Sequence, residues 1–318
     1  MFMEKNKDVA FLYRVAKMYY QEGLSQQQIA EQLNTSRTQI SRSLDKARKL
    51  GIVEIKVAPP SDQYSTTLAR SIEEMFGLEK ALIMPSYNHL DEDQLIDDLA
   101  SFSASYLPDL LEGCNFIGIG WGRTLYRIPQ HLPEMPAYWE RTFVPLLGNS
   151  GRKNRYLQTS TIVNRFGDKF QAECFYLNMP AVQSNETPLS EYAKVVLAEL
   201  EQYWAKLDAA IFSTGPALRQ SYFYIDEITP QVAKEYNYDF SACGEIFIQS
   251  FYQDGSSRQF EPGYNMIALD IQRLKEIPNT ILIAAGKHKR HAIYWAAKLG
   301  FCKILITDSI TAELLIKE

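Results

Sequence analysis

Over the first fifty or so residues the apolar positions recur at helical spacing. Across 9–20, Leu12, Val15, Ala16 and Tyr19 form one stripe while Arg14 and Lys17 lie off it, which predicts an amphipathic helix that Gly23 ends. Ser25 followed by Gln28 is a capping-box pattern, in which hydroxyl and side-chain amide reciprocally satisfy free backbone donors. A second helix is therefore expected from Gln26, with Ile29, Ala30 and Leu33 facing inward. Asn34 and Thr35 supply turn chemistry, and Ser36 with Gln39 repeats the capping pattern for a third helix, on which Ile40, Leu44 and Ala47 share the inner face. Gly51 closes that helix. The alternating IVEIKV after it reads as a short strand, so the segment is expected to be a winged helix-turn-helix, with Lys56 either on phosphate or solvated.

The pattern changes after Ala58-Pro59-Pro60-Ser61-Asp62, where two prolines stop both helix and sheet. This sets two domains, 1–58 and 59–318. An amphipathic helix is expected over 64–76, ending at Gly77. Beyond it, continuous apolar runs alternate with helix-length stretches: ALIMP (81–85), NFIGIG (115–120), TFVPLLG (142–148), CFYLNMP (174–180), DAAIFSTG (208–215), TILIAAG (280–286) and CKILITD (302–308). Unbroken hydrophobicity marks strands covered on both faces, and the alternation with helices predicts a doubly wound, mostly parallel α/β sheet. The Tyr-rich FYLNMP and YFYIDE segments either line an interface or fill the core, and the core is the preferred expectation.

Charge sharpens the division. The chain carries a net −5, but residues 1–57 hold ten Lys and Arg against six Asp and Glu, +4, leaving −9 for the rest. The basic segment is the one whose third helix turns Arg37, Thr38, Gln39, Ser41 and Arg42 outward, side chains that pair with base edges and phosphates in the major groove. Ser25, Gln26 and Ser36 sit at helix starts, where phosphates are favoured. The partner expected is double-stranded DNA. Cys114, Cys174, Cys243 and Cys302 are scattered singly, which suggests buried thiols rather than disulfides or a zinc site. No membrane span or signal-peptide pattern is seen, so a cytoplasmic protein is expected, with no cofactor.

In such sheets ligands sit at the carboxyl ends of strands, where glycine turns lead into helix starts. Three stretches qualify. IGIGWGRTLYRI places Gly118, Gly120 and Gly122 before Arg123 and Thr124; LLGNSGRKNR places Gly148, Asn149, Ser150 and Gly151 before Arg152, Lys153 and Arg155; AAGKHKRHAI opens at Gly286 with Lys287, Lys289 and Arg290. Together they favour a small anionic ligand such as a sugar phosphate.

The ordered set QQQIAEQL-x-x-SR-x-x-x-SR, GIGWGRTLYRI, PLLGNSG, FSTGP, CGEIFIQSFYQDG, LIAAGKHKRHAI and LITD resembles the SorC family of bacterial sugar-responsive transcriptional regulators, over nearly the whole chain. The resemblance implies a winged helix-turn-helix joined to a Rossmann-like effector domain of the sugar-phosphate isomerase and deaminase type. It further implies homodimers or homotetramers on palindromic operators, and a phosphorylated sugar that changes DNA affinity. By position, Gly120, Gly122, Arg123 and Thr124 match the family's first ligand loop, Gly148, Asn149 and Ser150 fall in the second, Glu245 matches its acidic residue and Lys289 its phosphate-contacting lysine. Two departures stand out. Asn149 replaces a second glycine, and Leu147 stands where deoxyribose-phosphate-responsive members carry a lysine that bonds covalently to the sugar. Leucine forms no Schiff base, so the effector is expected to bind noncovalently. The competing reading is a sugar-phosphate isomerase or deaminase with a DNA-binding appendage, its acid–base groups drawn from Glu245 and Asp308, with His288 and His291 flanking the third loop. A third is a DNA-binding scaffold that has lost its ligand.

Overall fold

The computed structural model describes residues 2–53, 63–86, 91–136, 140–149, 156, 158–186, 188–216, 241–258 and 263–318. The chain separates into two compact units, Met1–Pro60 and Ser61–Glu318.

In the first unit, α1 (Phe2–Tyr20), α2 (Gln26–Gln32) and α3 (Arg37–Lys49) follow one another. The first helix starts seven residues earlier than the apolar stripe from Val9 indicates. Ser25 forms the full capping box with Gln28, and at Ser36 the hydroxyl accepts from Gln39 N at 3.2 Å. Asn34 takes φ 51° in the turn between α2 and α3, a left-handed conformation that asparagine tolerates. The core is small: Val15, Met18, Ile29, Ala30, Ile40 and Leu44 pack together, and Leu12, Ala16 and Ala47 form a second cluster against Ile52 and Val53. Most of the expected wing strand, with Lys56, and the whole 58–62 boundary lie outside the described residues.

The second unit is built on a seven-stranded parallel sheet. Its strands are β1 (Lys80–Met84), β2 (Phe116–Ile119), β3 (Thr142–Pro145), β4 (Glu173–Cys174), β6 (Ala209–Phe212), β11 (Asn279–Ile283) and β12 (Ile304–Asp308), in the order β1-β12-β11-β6-β2-β3-β4. Successive residues of a strand point to opposite faces, and every residue of β6 and β12 is buried, so both sides of the sheet are covered there. The helices are α4 (Gln63–Phe76), α5 (Glu92–Leu110), α6 (Arg123–His131), α7 (Thr159–Phe170), α8 (Glu191–Trp204), α9 (Arg290–Lys298) and α10 (Ser309–Ile316). Two smaller sheets complete the unit, one of β5 (Val182–Ser184) with β10 (Tyr264–Met266), the other of β7 (Gly244–Ile246), β8 (Gln249–Phe251) and β9 (Ser257–Arg258).

Each of the seven apolar runs contributes a strand of the main sheet, but CFYLNMP does so only through Cys174. From Phe175 the chain leaves the sheet; Leu177 is buried while Tyr176 is 69% exposed, so the core expectation fails for that tyrosine. YFYIDE lies outside the described residues. Gly118 lies inside β2, where an added Cβ would collide with Leu146 Cδ2, so it serves strand packing rather than ligand approach. The four thiols are free, and burial raises each pKa above its ordinary value, as inert core cysteines require. Among the described residues no helix is long and apolar enough to cross a membrane, and no cluster of His, Cys, Asp or Glu is arranged to hold a metal.

Candidate functional site

In the first unit, α3 carries its inner face on Ile40, Ser43, Leu44 and Ala47. Arg37, Thr38, Gln39 and Arg42 are exposed and Ser41 is half-buried, so the polar residues of the first two turns form one accessible surface with no acidic residue before Asp45. Ser25 and Ser36 cap their helices, and Gln26 opens α2 beside the first of them. Lys46, Arg48 and Lys49 crowd the last turn, where the helix dipole favours cations.

In the second unit the chain reverses its winding beside β2. From β2 it proceeds outward to β3 and β4; from β6, paired on the other side of β2, it proceeds the opposite way to β11 and β12. The loops that leave β2 and β6 therefore diverge and open a crevice at the carboxyl ends of the strands. Gly120 lies on one wall. A Cβ there would stand 3.0 Å from Phe247 Cε1 and 3.4 Å from Phe212 Cβ, so only glycine lets these groups close up. Gly122, at φ 128°, turns the chain into α6 without a side-chain cap, which leaves that helix start facing outward from the strand ends. Thr124 is buried in the first turn.

The opposite wall comes from the β7–β8 hairpin and from the loop after β11. Glu245 pairs through its backbone with Gly215, and its Oε1 would lie 2.6 Å from a Cβ at that glycine. Its Oε2 accepts from Ile248 N at 3.0 Å. Burial pushes the Glu245 carboxyl up to about 7, against the lowering effects of that hydrogen bond and of Lys289. Lys289 ends the 3₁₀ turn that follows Gly286, itself held at φ 107° with its N–H on Thr311 Oγ1 at 2.8 Å. Burial, with Arg123 nearby, lowers the Lys289 ammonium to about 8, opposed by Glu245 and Glu92. Lys289 therefore senses both Arg123 and Glu245, each from a different segment. Among the described residues no hydrogen bond or ion pair engages the Lys289 ammonium.

The second glycine loop is arranged differently. Gly148 donates its N–H to Ile267 O at 2.8 Å, and Asn149 donates its own to Met179 O at 2.8 Å. Asn149 also bridges with its side chain, Nδ2 to Leu177 O and Oδ1 from Ser160 N. Both residues brace the end of β3 against the 177–181 segment, and their N–H groups are engaged. Ser150, with Gly151, Arg152, Lys153 and Arg155, lies outside the described residues. Leu147 is fully buried. Asp308 is the N-cap of α10, accepting from Thr311 N at 3.2 Å, and His291 is tied to Glu318 at 2.8 Å, so neither stands ready for acid–base chemistry.

Three residues near the strand ends escape sequence reasoning. Phe247 closes on Gly120. The Ser213 hydroxyl, on the loop leaving β6, is buried without a partner among the described residues. Glu92, the first residue of α5, pairs with Arg123 and stands 3.7 Å from His288 Nε2. Phe247 and Glu92 are each far along the chain from what they touch, and no local pattern marks them.

The family model described as a putative sugar-binding domain matches residues 62–317. The chain is 27% identical to the sorbitol operon regulator of Klebsiella pneumoniae, over 99% of this chain and all of that protein. It is likewise 27% identical to the deoxyribonucleoside regulator of Bacillus subtilis, over 95% of this chain and 96% of that one. The crystal structure of the full-length Klebsiella sorbitol operon regulator superposes with a TM-score of 0.75 at 23% identity, covering 97% of this chain and 99% of the other. These relatives are regulators, not enzymes.

Proposed function

The chain belongs to the SorC family of sugar-binding transcriptional regulators, and we propose that a small phosphorylated sugar, held noncovalently at the β2/β6 crevice, controls its affinity for operator DNA. The observation that carries this reading is the buried Lys289, which senses Arg123 on one side and Glu245 on the other, beside the strands where the winding reverses. Two cations beside an uncapped helix start suit a phosphate. A carboxyl near 7 suits sugar hydroxyls, since it accepts hydrogen bonds when ionised and also donates one when protonated.

In this reading Arg123, Lys289 and the α6 start at Gly122 and Thr124 hold the phosphate, Gly120 admits it, and Glu245 contacts the sugar. Gly148 and Asn149 shape the far wall; Ser150, expected beside them, lies outside the described residues. Buried Leu147 offers no amine, which supports noncovalent binding. The names of the relatives, a sorbitol operon and a deoxyribonucleoside regulator, support a sugar-derived effector. Residues 1–58 are the DNA-binding head: Arg37, Thr38, Gln39, Ser41 and Arg42 read the major groove, and Ser25, Gln26 and Ser36 hold phosphates. Residues 59–318 bind the effector and join two or four copies, so that paired heads match a palindromic operator. Effector binding shifts that match with a coupling of about 1–3 kcal/mol.

The test is a thermal-shift screen of the full chain against pentose and hexose phosphates, repeated with Lys289→Met. A sugar phosphate that raises the melting temperature of the native protein but not of the variant is expected. No stabilisation by any sugar phosphate, or equal stabilisation of Lys289→Met, refutes the site. For the head, the Arg37→Ala, Arg42→Ala double variant is expected to lose its operator footprint while keeping effector binding; an unchanged footprint removes α3 from the interface.

A further inference from the structure

We infer that Glu92 is a resident anion of the crevice, one that pairs with Arg123 and has to leave before the anionic group of a ligand pairs with that arginine. This rests on the proposed anion-binding reading of the same site.

Glu92 opens α5, yet capping is done by the preceding residue, whose Asp91 carboxylate accepts from Gln94 N at 2.8 Å. The Glu92 side chain is left to do something else. It crosses to the β2–α6 loop and pairs with Arg123, and the same Oε1 lies 3.7 Å from His288 Nε2. Its charge also reaches Lys289, where it favours the protonated amine. One carboxylate therefore touches or senses the cations of both phosphate-friendly loops, which is the position a ligand's anionic group would take.

The two partners differ in how tightly they are held. The Arg123 side chain is only 15% exposed, whereas that of Glu92 is 46% exposed. A guanidinium withdrawn from water needs an anion beside it, while a carboxylate at a helix start can rotate into solvent at small cost. Arg123 keeps its place when Glu92 leaves, because Asp93 lies 3.8 Å from its Nη1. Asp93 and Asp97 in turn hold α6 through Arg127 and His131, at 2.8 and 3.2 Å. The ladder stays joined below while its top rung exchanges partners. A ligand bound there releases the first residue of α5 and so gives that helix two states, one tied to Arg123 and one not. His288, lowered from its ordinary value by burial and by Lys289, loses its nearest anion in the same exchange and gains the ligand's.

The experiment is calorimetric titration of the full chain with inorganic phosphate in a chloride buffer at low ionic strength. Four proteins are compared: the native chain, Glu92→Gln, Arg123→Met, and the double variant. Glutamine keeps the size and exposure of the side chain and removes the competing charge. The expected result is phosphate binding about tenfold tighter in Glu92→Gln than in the native protein, with that gain abolished in the Arg123→Met background. Native-like or weaker binding by Glu92→Gln overturns the inference and leaves the anion site standing, since Glu92 would then only orient Arg123. Phosphate binding that is absent from all four proteins, or insensitive to Arg123→Met, overturns the anion-binding reading itself and the inference with it.

Discussion

Replacing Glu245 with glutamine tests the electrostatics of the crevice directly. In the unfolded chain the carboxyl loses its proton near its ordinary 4.5, and in the folded protein near 7. Between those values the folded state holds the extra proton, so stability falls as pH rises through this window and is flat above it. The difference corresponds to about 3 kcal/mol at about 1.36 kcal/mol per pH unit, undiminished by solvent because the group is buried. The glutamine side chain has no proton to lose, and its carbonyl can still accept from Ile248 N. Glu245→Gln should therefore match the native protein most closely near pH 4.5 and gain on it by about 3 kcal/mol by pH 8. In the native protein Lys289 adds the opposite slope, since a lowered amine makes stability rise between about 8 and 10.5. Urea unfolding followed by tryptophan fluorescence is suited to the measurement, because Trp121, Trp139, Trp204 and Trp295 all lie beyond residue 60 and report only on the second unit. Parallel pH profiles for the two proteins would refute the placement of a buried, proton-holding carboxyl at this site.

Other outcomes follow from packing. At Gly148 a Cβ would stand 2.7 Å from both Pro180 C and Ala181 N, so Gly148→Ala should cost about 1–3 kcal/mol by overpacking, read as a lower urea midpoint. Ile248, a β-branched residue at φ 65° and fully buried, tests strain against burial: the left-handed conformation costs about 1–2 kcal/mol, but removing the side chain from the core costs about 2–5, so Ile248→Gly should destabilise despite relieving φ. Ser25→Ala should cost the start of α2 about 1 kcal/mol, visible as faster amide exchange at Gln28.

Much of this architecture is legible in the sequence because local chemistry agrees with tertiary structure. The capping serines, the apolar stripe of α3 and the unbroken runs of the central strands each state their own conformation. Legibility fails where the determinant is distant. The β7–β8 hairpin turns on Phe247 and Ile248, both at positive φ, and neither is a residue that signals a turn; burial holds them there. Gly148 and Asn149 look like a ligand loop, yet hydrogen bonds to Met179, Leu177 and Ile267 commit them to bracing. Tyr176 has core composition but sits past the last residue of an edge strand, where nothing covers it to the same depth. Glu92 reads as an ordinary acidic residue of a first helical turn, and its second identity emerges only when α6 lies alongside.

The strand order has a temporal meaning. In the main sheet β1 comes before the other described strands and β12 after them, yet β1 pairs only with β12. Lys289, too, comes late in that order, on the segment that joins β11 to β12. A chain still on the ribosome holds an N-terminal unit whose own apolar clusters are complete, while the second unit waits, its opening strand without a neighbour. In that interval the N-terminal unit would precede an unfinished sheet, and the crevice proposed for a ligand would still lack Lys289.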